Sequence, residues 1–390
     1  MVKDERAKKL NIAMFGHKRI PSREGGIEIV VEELSTRLGC QGHNVICYNR
    51  LGHHVAGAEF DSAKVDTYSG VRLKNVITFG HGGLAAVTSS FFASLAAAFG
   101  RYDIVHIHAE GPAFMCWLPK MMGKKVIVTV HGLDHQRIKW GRAASAYIRQ
   151  GEKNAVRFAD EIIVLSENMK QYFMKNYGRK TIFIPNGVIR PQIRRTEMIK
   201  KMWGLEKDNY ILFLGRIVPE KGVRYLINAY KKVRTDKKLV IAGGSSDTDS
   251  FIIKLKGMAR DDDRIIFTGF VQGRVMEELY SNSYIYTLPS DLEGMPLGLL
   301  EGMSYGNCCV TSDIPECVEV IEDKAVTFKK SDINDLRKKL QMLCDNEATV
   351  QQYKADAAEF ICKKYNWDQI VEQTLSSYRR VIAGVKEDEE

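Results

Sequence analysis

No C-x-x-C pair occurs among the eight cysteines, which are scattered apart from the adjacent Cys308 and Cys309. That pattern offers neither a zinc knuckle nor a disulfide framework, and it fits a reducing cytoplasm. The start, Met1 to Asn11, is charged and has no apolar stretch of the kind a secretory leader needs. Val76 to Gly100 lacks any Asp, Glu, Lys or Arg, but Gly80, Gly82 and Gly83 interrupt it and its Ala-rich part is too short to cross a bilayer. We read it as a buried crossover helix, with interfacial membrane contact as the alternative. A Walker A sequence and a G-x-G-x-x-G fingerprint are both missing, which disfavours an ATPase and a simple nicotinamide dehydrogenase.

Acidic residues are scarce in the first half. Met1 to Arg190 carries 27 Lys/Arg against 16 Asp/Glu, whereas the remainder carries 30 against 32, so the net charge of +9 resides in the first half. Such a field draws in anions: phosphorylated substrates, anionic lipid headgroups or nucleic acid. No zinc-finger spacing, RNP motif or lone basic helix is present, and nucleic acid is not expected as a partner. With 390 residues, 45% hydrophobic and 27% charged, the chain has material for two soluble domains.

What is present alternates. In the first half the β-branched runs Ile12–Phe15, Asn44–Tyr48, Asp103–Ile107, Lys125–Val130 and Glu161–Leu165 are each followed by a loop holding Gly, His or Ser. The second half repeats the style at Tyr210–Leu214, Lys238–Ala242, Ile265–Thr268, Tyr284–Leu288, Cys308–Thr311 and Ala325–Phe328. Amphipathic stretches separate them, among them Ile27–Leu38, Val223–Val233 and Asp332–Leu343. Strands alternating with helices predict an α/β fold with parallel sheets covered on both faces. Pro185-Asn186-Gly187 and the basic stretch to Thr196 read as a linker. The expected domains are therefore residues 1–190 and 197–366, each Rossmann-like.

The residues that carry chemistry stand at predicted strand ends, where ligands bind in open α/β sheets. Ser290-Asp-Leu-Glu-Gly-Met-Pro-Leu-Gly-Leu-Leu-Glu301 places Glu293 and Glu301 eight residues apart around a Gly/Pro turn. A carboxylate there can accept two ribose hydroxyls. The amides of Met295 to Leu299, following Gly294 and spanning Pro296 and Leu297, are expected to open a helix whose N-terminus favours a diphosphate. Gly215-Arg216 to Lys221-Gly222 adds two cations that could stabilise a departing nucleoside diphosphate. The bland alternatives are a solvated acidic loop and a charged turn.

In the first half, Gly25-Gly26 lets backbone approach a ligand and opens the helix bearing Glu28, with Lys18, Arg19 and Arg23 on the same loop. His131-Gly132 and Ser166-Glu167 each end a strand. His106 and His108 alternate on one strand and share a face, but no carboxylate or cysteine cluster is evident beside them in the sequence, so packing or acceptor contact is favoured over a metal. No D-x-D pair is read at a strand end where it would hold a metal-diphosphate. Asp261-Asp262-Asp263 is read as a solvated turn. The site is thus expected to hold no metal and no cofactor.

These motifs, in this order along nearly the whole chain, resemble the retaining glycosyltransferases of family 4, of GT-B fold, in which two Rossmann-like domains face a central cleft. Gly16 to Glu28 and Gly132 to Gly141 resemble a bacterial subgroup associated with rhamnose transfer in surface-polysaccharide assembly. The resemblance implies that Arg216 and Lys221 hold the diphosphate, that Glu301 binds the ribose, and that Glu293 with the backbone after it touches the donor sugar. It places His131 near the anomeric carbon, although many of the subgroup carry an acid there. Gly25, Gly26, Gly215 and Ser166 join the donor side; His17, Arg19, Glu28, His108 and Arg137 form the acceptor side. A final helix at 367–386 is implied to return to the first domain.

The expected reaction moves a hexose, rhamnose or another, from a UDP or dTDP sugar to a glycan or lipid-linked glycan, without a metal. The expected place is the cytoplasm, at the inner face of the cell membrane if the basic half meets anionic lipid. The rivals are a nucleotide-sugar epimerase or hydrolase of the same fold and a non-catalytic nucleotide-sugar-binding protein.

Overall fold

The computed structural model describes residues 8–52, 65–80, 82–136, 141–244 and 249–385. The chain forms two compact units, one of residues 1–186 with 367–390 and one of residues 187–366.

In the first unit β1 (Asn11–Phe15), β2 (Asn44–Arg50), β3 (Thr67–Tyr68), β4 (Val71–Val76), β5 (Ile104–His108), β6 (Lys125–Val130), β7 (Glu161–Val164) and β8 (Ile182–Phe183) build one sheet. Their order is β3-β4-β2-β1-β5-β6-β7-β8, and the pairings are parallel apart from β3 with β4. The central strands are buried on both faces, with Val105, Ile107, Val126, Val128, Ile162 and Val164 in one core cluster. Those runs are legible because a strand covered on both sides must be apolar throughout. β3, β4 and β8 were not anticipated. β4 alternates buried Val71 and Leu73 with exposed Arg72 and Lys74, and β3 and β8 have two residues each.

The strand order reverses between β1 and β5. There Gly16 turns at φ +115°, and a Cβ on it would stand 2.0 Å from the His108 carbonyl oxygen, so only glycine fits. The uncharged stretch becomes the helix Gly82–Phe99, which starts later than the stretch does. It buries Ala93, Ala97 and Ala98 yet leaves Leu84, Phe91 and Phe99 exposed.

The helix Trp367–Ala383 closes the first unit. It buries Ile370, Val371, Leu375 and Tyr378. The Tyr378 hydroxyl lies 2.7 Å from His106 Nδ1, Arg380 donates to both Glu161 oxygens (2.6 and 3.0 Å), and Ser377 donates to Glu161 Oε2 at 2.9 Å.

The second unit holds β9 (Tyr210–Leu214), β10 (Lys238–Ala242), β11 (Ile265–Gly269), β12 (Ile285–Leu288), β13 (Cys308–Ser312) and β14 (Val326–Phe328). They form a fully parallel sheet in the order β11-β10-β9-β12-β13-β14. Its order reverses between β9 and β12, so the crevice for a ligand opens beyond the carboxyl ends of those two strands.

Candidate active site

Both second-half motifs arrive at that reversal. Gly215 follows β9 directly, and Ser290 lies two residues beyond β12. The two loops are stitched together. Gly222 sits at φ +67° with the Pro289 carbonyl oxygen 1.9 Å from where a Cβ would be. The Asp291 amide donates to the Glu220 carbonyl at 2.7 Å. Arg224 and Tyr225 both reach Asp291 Oδ2, at 3.1 and 3.0 Å.

Within this frame Lys221 Nζ donates to Glu293 Oε1 at 2.6 Å, with only 15% and 8% of the two side chains exposed. The cation assigned to the diphosphate and the carboxylate assigned to the sugar thus meet each other, 72 residues apart in sequence. A pair this shielded holds both chains in one geometry, and removing one member strands the other. Arg216 is half-buried on the same loop. Glu301 Oε2 accepts from the Tyr280 hydroxyl at 3.2 Å, and burial pushes that phenol well above its ordinary range.

The helix expected from Met295 opens two residues later, as Leu297–Ser304. Pro296 is its cap, and the amides of Leu297 and Leu299 already donate to Met295 and Pro296. The row of amides offered to an anion is therefore shorter than the sequence suggests. Gly294, Met295 and Pro296 are buried under this turn.

In the first unit the residues beyond β1, β5 and β6 converge. His108 Nδ1 and His131 Nε2 lie 3.0 Å apart, one donating and the other accepting, and both residues are buried. Burial keeps His108 neutral, its acidity shifted well below 6.5, with His106, His131 and His17 adding to the effect. His106 has no spare nitrogen, since Nδ1 meets Tyr378 and Nε2 meets Thr129 Oγ1 at 2.7 Å.

Other candidates are engaged within their own fold. His17 Nε2 bonds Asn49 Oδ1 at 3.0 Å, and burial lowers its pKa to about 4. Glu28 folds back to accept the Lys18 amide at 2.8 Å and covers Gly25. Burial alone would raise the Glu28 acid, but that amide and the Lys18 ammonium hold it below the usual range. Gly26 begins the helix Gly26–Cys40. Ser166 accepts the Met169 amide at 3.2 Å as the cap of the helix Glu167–Tyr177. Arg19 is half-buried, its guanidinium near the Gly52 carbonyl at 3.5 Å. Arg137 lies outside the described residues.

Two family models match, one to each half. The model described as Glycosyltransferase Family 4 covers residues 24–189, and the one described as Glycosyl transferases group 1 covers residues 195–360. The chain belongs to the family 4 glycosyltransferases. It is accordingly a retaining glycosyltransferase that draws its sugar from a nucleotide-sugar donor. An uncharacterized glycosyltransferase of Methanocaldococcus jannaschii is 22% identical over 95% of this chain and 98% of that one. Alpha-maltose-1-phosphate synthase of Mycobacterium tuberculosis is 25% identical over 66% of this chain and 73% of that protein.

Among solved structures, a sucrose-phosphate synthase from Thermosynechococcus elongatus superposes with a TM-score of 0.81 at 19% identity, covering 96% of this chain and all (100%) of that one. HepE of Anabaena, solved with UDP and glucose, gives 0.77 at 15% identity over 94% of this chain and 100% of that one. The two parallel α/β sheets are those of the GT-B fold.

This glycosyltransferase also holds groups that the sequence reading passed over. One D-x-D pair does follow a strand, Asp247-Thr248-Asp249 beyond β10; Asp247 lies outside the described residues, and the helix Asp249–Ala259 begins at its partner. Asp262 is no idle turn residue, because Arg264 grips it at 2.7 and 2.9 Å. Glu110, His135 and Glu152 converge in the first unit although 42 residues separate the outer two. Only the closeness of Glu110 and His135 to strand ends could have signalled them.

Proposed function

We propose that the second unit holds a nucleoside-diphosphate sugar beyond β9 and β12, and that the first holds a glycan or lipid-linked glycan acceptor. The observation that carries this reading is the shielded Lys221–Glu293 pair set at the strand-order reversal. Lys221 and Arg216 neutralise the diphosphate as charge grows on it, and fixed cations in a dry site cost no reorganisation at that moment. Glu301 takes the ribose hydroxyls. Glu293, held by Lys221, touches the sugar. His131, hydrogen-bonded to His108, accepts or donates at a sugar hydroxyl. The leaving diphosphate oxygen takes the proton of the incoming acceptor hydroxyl on the same face, which retains configuration and needs neither a covalent nucleophile nor a metal.

UDP is the favoured donor base, in line with HepE, whose structures hold UDP and UDP-glucose, with dTDP next. The sugar is a hexose. Rhamnose rests on the subgroup resemblance, and none of the relatives named above carries it in its name.

The test is thermal melting with UDP, dTDP, GDP and ADP, with and without EDTA. Saturation at 100 times the dissociation constant adds about 2.7 kcal/mol, which is readily seen. One diphosphate is expected to raise the melting temperature by the same increment in EDTA. No increment from any of the four overturns the donor reading. Transfer to acceptor, against mere donor hydrolysis, separates the transferase from an epimerase, a hydrolase or a binding protein.

A peripheral membrane setting, at the inner face of the cell membrane, is the second part of the proposal. The exposed Leu84, Phe91 and Phe99, with Met121 and Met122 nearby in sequence to Lys120 and Lys124, mix apolar and basic surface within the basic half. No helix of the described residues is long and apolar enough to cross a membrane. Sedimentation with phosphatidylglycerol vesicles at low salt is expected; failure to sediment removes this part alone.

A further inference from the structure

Glu110 and Glu152 are both completely buried (0% exposed), yet no Lys or Arg among the described residues pairs with either. Each carboxylate satisfies one oxygen and leaves the other orphaned. Glu110 Oε2 accepts the Asp134 amide at 2.8 Å. Glu152 Oε1 accepts the hydroxyls of Tyr172, at 3.1 Å, and Tyr177. Among the described residues, Glu110 Oε1, Glu152 Oε2 and His135 Nδ1 have no hydrogen-bond partner. One ligand atom from each of the three residues lies within 4.8 Å of the other two. His135 Nδ1 stands 3.4 Å from Glu152 Oε2 and 3.7 Å from Glu110 Oε2. Two ligands about 2.1 Å from a tetrahedral ion are about 3.4 Å apart.

Burying two carboxylates side by side without a cation is costly. A divalent ion would supply the missing positive charge and take one ligand atom from each of the three residues. One imidazole and two carboxylates are a donor set for first-row divalent ions, and tyrosine hydroxyls on the far oxygen of Glu152 would orient it as outer hydrogen bonds orient metal ligands. His135 borders a surface depression of about 430 Å³ also lined by Arg142, Ser145 and Arg149, which gives a path from solvent and room for water or an anion as a further ligand.

We propose that Glu110, His135 and Glu152 bind one Mn²⁺ or Zn²⁺ ion, which braces the segment after β6 between His131 and Gln136. The ion touches no donor group and takes part in no bond change. This site is independent of the donor reading.

The test uses the full-length, tag-free protein, stripped with EDTA, dialysed, and titrated calorimetrically with MnCl₂ and then ZnCl₂, with melting followed in parallel. Mn²⁺ is the more telling probe because thiols prefer softer ions. Saturable binding of one ion per chain is expected, with a raised melting temperature. His135→Ala, a half-buried position that should fold, is expected to abolish it, and Tyr172→Phe to weaken it roughly 10–100-fold. The proposal is overturned if no saturable Mn²⁺ or Zn²⁺ binding appears, or if His135→Ala and Glu152→Gln bind as the wild type does. It is equally overturned if Glu110→Gln melts higher than the stripped wild type and the wild type gains nothing from either ion, since the cluster is then a pair of acids sharing a proton.

Discussion

Lys221 and Glu293 show what sequence can and cannot reveal about a single residue. Their positions after two strands make them candidates, because side chains at strand ends face ligand rather than core. Their partnership depends on the strand order, which no local pattern encodes. The same limit hides Glu110, His135 and Glu152, and it hides the turn of Glu28 back onto Lys18. Arg216→Ala is expected to lower kcat by about 10²–10³, or roughly 2–4 kcal/mol of transition-state stabilisation. Lys221→Ala is expected to match that loss and also to lower the melting temperature, because Glu293 is then left shielded and unpaired. Turnover within threefold of wild type in both variants would refute the diphosphate clamp.

His17 gives a prediction with a defined sign. Its pKa in the folded protein is about 4 against 6.5 for the free side chain. Between those values the unfolded chain binds the proton and the folded chain does not. Stability is therefore full above pH 6.5, declines as the pH falls toward 4, and is flat in this contribution below that. The loss by pH 5 is about 2 kcal/mol from this residue alone. Urea midpoints at pH 7.5 and pH 5 should differ, and His17→Asn should narrow the difference.

Elements were the most legible level. β5, β6, β9, β10 and β13 are buried along nearly their whole length and mostly apolar, as central parallel strands are, and each is legible within a residue or two. The outer strands escaped because β4 is half solvated and because the two residues of β3 and of β8 carry no period. Helix openings slipped where turn chemistry intervened: Pro296 delays the helix after Glu293 to Leu297. Ser166 belongs to this scale as much as to the site. Its Oγ is committed to the Met169 amide, so Ser166→Ala is expected to cost about 1 kcal/mol in unfolding experiments, and Ser166→Thr to restore most of it. Full stability in the alanine variant would show that the cap contributes nothing.

For the molecule as a whole, two α/β units were legible from the repeated strand-and-loop style. The hydrogen bonds of the helix Trp367–Ala383 to Glu161 and His106 were not, being more than 200 residues apart. Tyr378→Phe leaves one nitrogen of fully buried His106 without its partner and should destabilise the protein by roughly 1–3 kcal/mol. A chain ending at residue 366 should lose the first unit's cooperative melting transition, and a calorimetric scan that still shows two full transitions would refute that role for the helix.

The discontinuity of the first unit has a consequence for biosynthesis. Residues 1–186 leave the ribosome first but cannot be completed until 367–390 emerge. The 180 residues between take roughly 10–40 s to add at bacterial and eukaryotic elongation rates. During that interval Glu161, His106 and the apolar surface around them await a helix not yet made, while residues 187–366 already hold a contiguous unit. The second unit can therefore mature before the one that precedes it, and the nascent first unit is the natural client of a chaperone.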